Sequence, residues 1–434
     1  MIQIDKDYLG NVMLRFPLSR RGDILFVEGV STIDLADEFD TPLYVMSESR
    51  VKENYRRLRS AFHGYDSGFH IFYSAKANTN LELLKVLEGA SAHVDVVSPG
   101  EVYIAKMAGF SSDRILFTGT SVQDDELDYL IKEDVLINID SLSQLGRLLE
   151  RRVPEVISFR VNPIHGAGHH EYVVTAGKTP KFGLWIDDVI EGYRRAADAG
   201  VSRFGIQMHI GSGILEPEPH LRATETLLKI AGKVTSKLGL SFEFIDLGGG
   251  FGVPYRPEDE PLDVEALANG LIDLIEDGSE RFSLGNPEIW IEPGRYLVAD
   301  AGLLLTKINT LKETPHKKFA GVDAGFNTLL RPTLYNSYHH ILLANRTNKT
   351  PSERYDVVGP ICETGDVLAE NRSLPKLSEG DLLAILTTGA YGYSMSSQYN
   401  SRPRPAEVLV NKNSYRQIRA RETFRDLLPH STKT

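Results

Sequence analysis

The stretch HIFYSAKANTNLELLKVLEGASAHVDVVSPGEVYIAKMAGF, residues 70–110, carries two rounds of one pattern, a β-rich run followed by a helix. In the first round Leu83, Leu84 and Leu87 make an apolar stripe at helical spacing that stops at Gly89. In the second, Ser98 caps, Pro99 takes the first helical position, Glu101 completes a capping box and Gly109 closes the helix. Outward from here the pattern continues: HIFYSAK and HVDVVS are followed by RILFTG, VLINID, VISFRVN, FGIQMHI, FEFIDLG and EIWIEPG. Strands alternating with helices over roughly 230 residues fit an α/β fold built as a parallel (β/α)8 barrel, for which about 250 residues is usual; a doubly wound open sheet is the alternative topology.

The positions of the polar and glycine residues separate these topologies. They fall at the C-terminal ends of the runs: Lys76, then Asp95 and Ser98, then His209 and Ser212, then Gly248, Gly249 and Gly250, then Glu292 to Arg295. In a barrel these ends converge on one face, where active sites are built and where the loops after strands seven and eight commonly hold phosphate. After Arg295 the rhythm changes to strand-like runs joined by turns, LLLTKINTLKE, KFAGVDAG, HHILLANR, RYDVVGP, DLLAILTTG and AEVLVNKNSYRQIRA. The expected organisation is an N-terminal segment over 1–45 that adds strands to a β domain, a barrel over 46–300, and a mainly antiparallel C-terminal β domain over 301–434.

Length and composition agree with two domains, because 434 residues exceed what one core usually spans. With 41% hydrophobic and 25% charged residues the chain has the composition of a globular enzyme. A formal net charge of −11 opposes attraction to nucleic acid or to anionic lipid. No apolar run approaches the roughly 20 residues of a membrane span and the N-terminus shows no secretory h-region, so a cytoplasmic protein acting on a small molecule is expected. The single cysteine, Cys362 in VVGPICETGDV, has no partner for an internal disulfide.

Each candidate residue admits a bland reading beside the chemical one. Lys76 ends an apolar strand, where partial desolvation supplies the neutral amine that forms a Schiff base with an aldehyde cofactor; alternatively it is a strand-end lysine reaching for water. The glycines of DLGGGFGVPY let backbone N–H groups approach an anion, or simply make a flexible turn. Glu292 facing a pyridine nitrogen would keep it protonated and make the ring a strong electron sink, or it pairs with its neighbour Arg295. His209 is a flat ring able to stack on a cofactor, or a satisfied core residue. Cys362 is a proton donor or a small buried hydrophobe. His165, His169 and His170 lack a strong ligand spacing, and no metal is expected. No G-x-S-x-G elbow, P-loop or H-E-x-x-H is present.

The motifs YSAKAN, GEVYIAKMAG, HIGS, LGGGFGVPY, EPGRYLVADAG, RPTLYNSYHHI, GPICETGD and GAYGYSMSSQYNSRPRPAEVLV occur in this order across nearly the whole chain. Together they resemble the fold-type III pyridoxal-phosphate decarboxylases, most closely those acting on diaminopimelate. The resemblance implies decarboxylation of meso-2,6-diaminopimelate to L-lysine and CO2, the last step of lysine biosynthesis, with pyridoxal 5'-phosphate as cofactor. It implies that Lys76 carries the cofactor, His209 stacks on it and Glu292 meets its ring nitrogen, with Asp95 and Ser212 beside it. Gly248, Gly249, Gly250, Gly294, Arg295 and Tyr391 would hold the phosphate. Arg295, Arg331, Tyr335 and Tyr391 would grip the substrate's distal carboxylate, Glu363 its distal ammonium, and Cys362 would deliver a proton. The family's sites are shared across a homodimer, so Cys362 and Glu363 are expected to serve the partner's barrel. Ornithine or arginine lacks the distal carboxylate such a site needs; carboxynorspermidine or a siderophore intermediate as substrate, or a non-catalytic binding role, are the other readings. Racemisation on the same barrel would call for arginine where Glu292 stands. The chain departs from the family pattern at Pro99, Ala176 and Gly213.

Overall fold

The computed structural model describes residues 8–9, 12–13, 16–163, 166–168, 176–177 and 181–428. Two compact units emerge: one holds residues 54–253 and 260–297, the other the residues up to Glu53, Pro254–Asp259 and everything from Val298 onward.

The first unit is a closed barrel. All eight runs become strands: β1 (Phe69–Ser74), β2 (His93–Val96), β3 (Ile115–Phe117), β4 (Leu136–Ile139), β5 (Val156–Val161), β6 (Arg203–Met208), β7 (Phe244–Asp246) and β8 (Glu288–Ile291). Each pairs in parallel with its sequence neighbour, and β8 closes onto β1 through Trp290 opposite His70. Closure excludes the open doubly wound sheet. Near the N-terminal ends the interior is aromatic, with Phe244 stacked on Trp290 at 3.6 Å and Phe72 4.6 Å from the same indole. Polar side chains are concentrated at the opposite ends.

Helices α1 (Leu81–Glu88) and α2 (Pro99–Ala108) illustrate how local sequence sets the repeat. Asn80 caps α1 by accepting from the Glu82 N–H at 3.0 Å, and Leu83, Leu84 and Leu87 are fully buried. Ser98 caps α2 through the Glu101 N–H at 3.2 Å. The Glu101 carboxylate reaches back one residue further than a standard capping box, accepting from the Val97 N–H at 2.8 Å. Gly109, at φ 106°, ends the helix in a conformation disfavoured by side chains.

The second unit is built on a nine-stranded sheet. Its path runs through Val367–Leu374, Glu353–Val358, Lys318–Val322, Gly302–Glu313, Leu43–Ser47, Ala406–Asn411 and Ser414–Arg419. Off that path, Leu382–Leu386 pairs with Gly302–Glu313 and Ile341–Leu343. Pairing is mainly antiparallel; Leu43–Ser47 runs parallel to Ala406–Asn411, as does Lys318–Val322 to Glu353–Val358. Alternation along the strands sends successive residues to opposite faces. Tyr44, Leu304, Leu343 and Ile385 join one core cluster, while Val45, Leu303, Leu305, Leu342 and Ala384 join another, so both faces of the sheet are buried. Val367–Leu374 is not marked by a clean apolar run, because it is an edge strand with Glu370 and Asn371 exposed. Among the described residues no helix is long and apolar enough to cross a membrane.

Candidate active site

Lys76 sits in a single 3₁₀ turn, Ala75–Ala77, directly after β1. The turn is tied down because the Tyr73 hydroxyl donates to the Asn78 carbonyl at 2.9 Å, and Asn78 Oδ1 accepts from the Asn80 N–H at 3.0 Å. Lys76 Nζ donates to Asp95 Oδ2 at 3.1 Å; the lysine side chain is 35% exposed, whereas that of Asp95 is fully buried. Register explains the meeting, since Ser74 of β1 lies opposite Asp95 of β2. Ser74 Oγ is 2.8 Å from Asp95 Oδ2, and Thr118 donates to Oδ1. Asp95 is therefore held from three sides, which fixes the ammonium it faces. A lysine merely reaching for water would not need this arrangement.

Glu292 follows β8 and is 2% exposed. Among the described residues it makes no ion pair with Arg295, whose guanidinium donates to Ser212 Oγ at 2.9 and 3.1 Å. Instead Glu292 Oε1 accepts from Gln207 Nε2 at 3.0 Å. Burial, and then the neighbouring carboxylates of Asp246 and Asp95, push the Glu292 carboxyl well above the usual range. Asp246 is pushed up as well, chiefly by burial. Asp246 Oδ1 accepts from the Gly248 N–H at 2.8 Å, but Oδ2 is buried with no donor among the described residues. Burial and the Asp246 carboxylate thus both favour the protonated form of Glu292.

The glycine run passes very close to the ends of β6 and β8. A Cβ on Gly248, which has φ 67°, would stand 2.1 Å from the Met208 carbonyl oxygen, and one on Gly249 would stand 2.3 Å from that of Glu292. Two of the three N–H groups point inward: Gly248 donates to Asp246, and Gly249 donates to His209 Nδ1 at 3.0 Å. The Gly250 N–H has no acceptor among the described residues. Burial, followed by the charge of Arg160, keeps the His209 ring neutral. With Nδ1 accepting, its one proton lies on Nε2. Gly294 packs against Ser74 and Ala77, where a Cβ would approach their Cβ atoms to 3.0 and 3.1 Å. The mouth thus combines a held amine, a neutral aromatic ring, a buried proton-holding carboxyl group and backbone bare of side chains, a donor set that fits pyridoxal phosphate.

The remaining predicted residues lie in the sheet unit and form two groups. Arg331 is 1% exposed, donates to Ser337 Oγ at 3.1 Å, and has its guanidinium 5.1 Å from the Tyr255 ring and 5.9 Å from the Tyr335 ring. Cys362 and Glu363 are exposed, which removes the buried-hydrophobe reading of the thiol. The Cys362 N–H donates to Asn400 Oδ1 at 2.9 Å, and the Tyr399 hydroxyl donates to Glu363. Tyr391 adopts φ 57° between Ala390 and Gly392. Of the departures, Pro99 is an ordinary first-turn proline, Gly213 has φ 79°, which favours glycine, and Ala176 is buried. His165, His169 and His170 lie outside the described residues. Among those described, no group of three or more His, Cys, Asp or Glu could hold a metal.

Four further residues surround this site without having been singled out in the sequence: Asn138, Arg160, Gln207 and Asp246, all buried. The signal was available, as each is a polar residue flanked on both sides by apolar ones, in VLINID, VISFRVN, FGIQMHI and FEFIDLG.

Residues 48–299 match the model of the pyridoxal-dependent decarboxylases, pyridoxal binding domain. The diaminopimelate decarboxylase of Methanothermobacter thermautotrophicus is 55% identical over 406 residues, covering 93% of this chain and 94% of its own. That of Archaeoglobus fulgidus is 40% identical over 411 residues, with 93% and 96% covered. The crystal structure of the M. jannaschii diaminopimelate decarboxylase in complex with L-lysine superposes with a TM-score of 0.89 at 33% identity, covering 96% of this chain and 98% of that one. A lysine/ornithine decarboxylase from Vibrio vulnificus, at 21% identity, shares the fold alone. The likeness extends through barrel and sheet alike at identities far above that level, and this chain belongs to the diaminopimelate decarboxylase family.

Proposed function

We propose that this protein removes one carboxylate of meso-2,6-diaminopimelate, with pyridoxal 5'-phosphate as cofactor, and releases L-lysine and CO2 as the closing step of lysine biosynthesis. The observation that carries this reading is the pairing, at one barrel mouth, of Lys76 held by Asp95 with the buried Glu292. When bound, the cofactor supplies the electron sink for the pair of electrons left when CO2 departs.

In this reading Lys76 holds the cofactor through Nζ, and Asp95 keeps that amine in place. His209, neutral, would lie beside the ring, and the Glu292 carboxyl group would meet the ring nitrogen and hold a proton there. The phosphate rests on the glycine segment and Gly294, with Ser212, Arg295 and Tyr391 supplying donors. Since Gly248 and Gly249 spend their N–H groups on Asp246 and His209, their part is to let the backbone approach, and Gly250 is left to donate.

The substrate's far end carries both a carboxylate and an ammonium. Arg331, with Arg295, Tyr335 and Tyr391, suits the carboxylate, since charge-assisted bonds of this kind contribute about 1.5–3 kcal/mol each. Glu363, held by Tyr399, suits the ammonium. Cys362 is the proton donor to the carbon that has lost CO2. Cys362 and Glu363 serve the barrel of the second subunit of a homodimer in the cytoplasm; the exposure of both side chains supports this, and the formal net charge of −11 supports a small-molecule partner over nucleic acid.

The test is a substrate panel. Purified protein supplied with pyridoxal phosphate is offered meso-diaminopimelate, ornithine and arginine, and lysine and CO2 are measured together. Equal amounts of both from the first substrate are expected; CO2 without lysine, or release only from ornithine or arginine, would overturn the assignment.

A further inference from the structure

We propose that Gln207 is a positioning residue for Glu292, its amide fixed by Asn138 so that it donates to Oε1 of the Glu292 carboxyl group and leaves Oε2 as the oxygen that can carry a proton. This deepens the functional reading and rests on it, because it assumes that Glu292 meets the cofactor's ring nitrogen.

The geometry is a chain of buried groups. Asn138 Nδ2 donates to Gln207 Oε1 at 3.2 Å, and Gln207 Nε2 donates to Glu292 Oε1 at 3.0 Å. Asn138 and Gln207 are each 1% exposed and Asp246 is fully buried. The three members of the chain come from β4, β6 and the residue after β8, the even-numbered strands that together supply one layer of a barrel interior. Gln207 lies directly opposite Asp246 in the β6–β7 register and opposite Arg160 in the β5–β6 register. The charged groups acting on Glu292 are Asp246, Asp95, Lys76 and Arg160.

Chemistry follows from what an amide can and cannot do. A glutamine does not titrate, so its NH2 group gives Glu292 a donor without adding charge, favouring the ionised form that two facing acids disfavour. Its orientation is not intrinsic; it depends on what its own carbonyl receives, and Asn138 supplies that donor. Because Oε1 accepts from an N–H, a proton on the Glu292 carboxyl group belongs on Oε2. Position and protonation of the ring-nitrogen partner are thereby set by two neutral side chains.

The test uses holoenzyme reconstituted with pyridoxal phosphate labelled with 15N at the ring, comparing wild type with Gln207→Met and Asn138→Ala. In Gln207→Met the ring-nitrogen resonance is expected to move toward its deprotonated position, with kcat falling roughly tenfold and KM changing less than about twofold. Asn138→Ala should move both in the same direction, by about threefold in kcat. Where Gln207→Met does not fold, Asn138→Ala carries the test alone. A resonance unchanged from wild type, whatever happens to turnover, would overturn the proposal, since a merely structural network would leave the ring nitrogen untouched. Wild-type protein that takes up no labelled cofactor would instead overturn the functional reading beneath it.

Discussion

The barrel mouth and the Cys362–Glu363 segment of the sheet unit hold their chemical groups in opposite ways. At the mouth, Asp95, Gln207, Asp246 and Glu292 are all nearly inaccessible and each is hydrogen-bonded to another barrel residue. Cys362 and Glu363 are exposed, with Asn400 accepting from the Cys362 N–H and Tyr399 donating to the Glu363 carboxylate. A buried carboxyl group is expensive unless its surroundings justify it, so the mouth is organised before any ligand arrives. An exposed thiol beside an exposed carboxylate gains nothing from its own fold. On the proposed function, the contrast means that one half of the chemistry is held within the barrel, while the other half is displayed outward.

Substitutions should follow that contrast. Lys76→Ala is expected to have the largest effect, abolishing the visible absorbance of the bound cofactor and lowering turnover by roughly a thousandfold or more. Glu292→Gln should retain cofactor binding but lower kcat by about 10²–10³, as seen when a preorganised electrostatic partner is lost. Cys362→Ala should leave the cofactor spectrum unaltered while kcat falls by about 10², the contribution of a positioned general acid. If instead the spectrum changes with Cys362 and not with Glu292, the division between the two regions is misdrawn. Tyr399→Phe removes one hydrogen bond from Glu363 and should raise KM for meso-diaminopimelate by about threefold with kcat nearly unchanged. Steady-state kinetics with absorbance scans check all four.

The same contrast governs how much was legible in the sequence. The eight strands were readable because burial on both faces leaves short apolar runs, and a helix with its own caps separates most of them. Lys76, His209, Glu292 and the glycines were readable because they interrupt those runs at their ends. Asn138, Arg160, Gln207 and Asp246 also interrupt apolar runs, but inside the strands themselves, where a single polar side chain is indistinguishable from an outward-facing one until barrel closure fixes which positions point inward. The capping box at Glu101 was right in kind, though its carboxylate takes the Val97 N–H. For the sheet unit, periodicity identified most strands but gave no functional meaning to Arg331, Tyr335, Cys362 or Glu363. Those assignments came from resemblance: Cys362 and Glu363 are exposed and leave no imprint of packing on the pattern around them, while Arg331 and Tyr335 lie in a five-residue helix too short to show a period.

The measurement that bears most directly on the outward half is complementation between Lys76→Ala and Cys362→Ala. The two variants are co-expressed with different affinity tags, and the mixed dimer is isolated by sequential capture. If Cys362 serves the partner's barrel, the mixed dimer contains one intact site of two and should recover about half of wild-type turnover per dimer, while each variant alone stays near its own low level. A mixed dimer no more active than its parents would contradict that account and place the thiol with the barrel of its own chain.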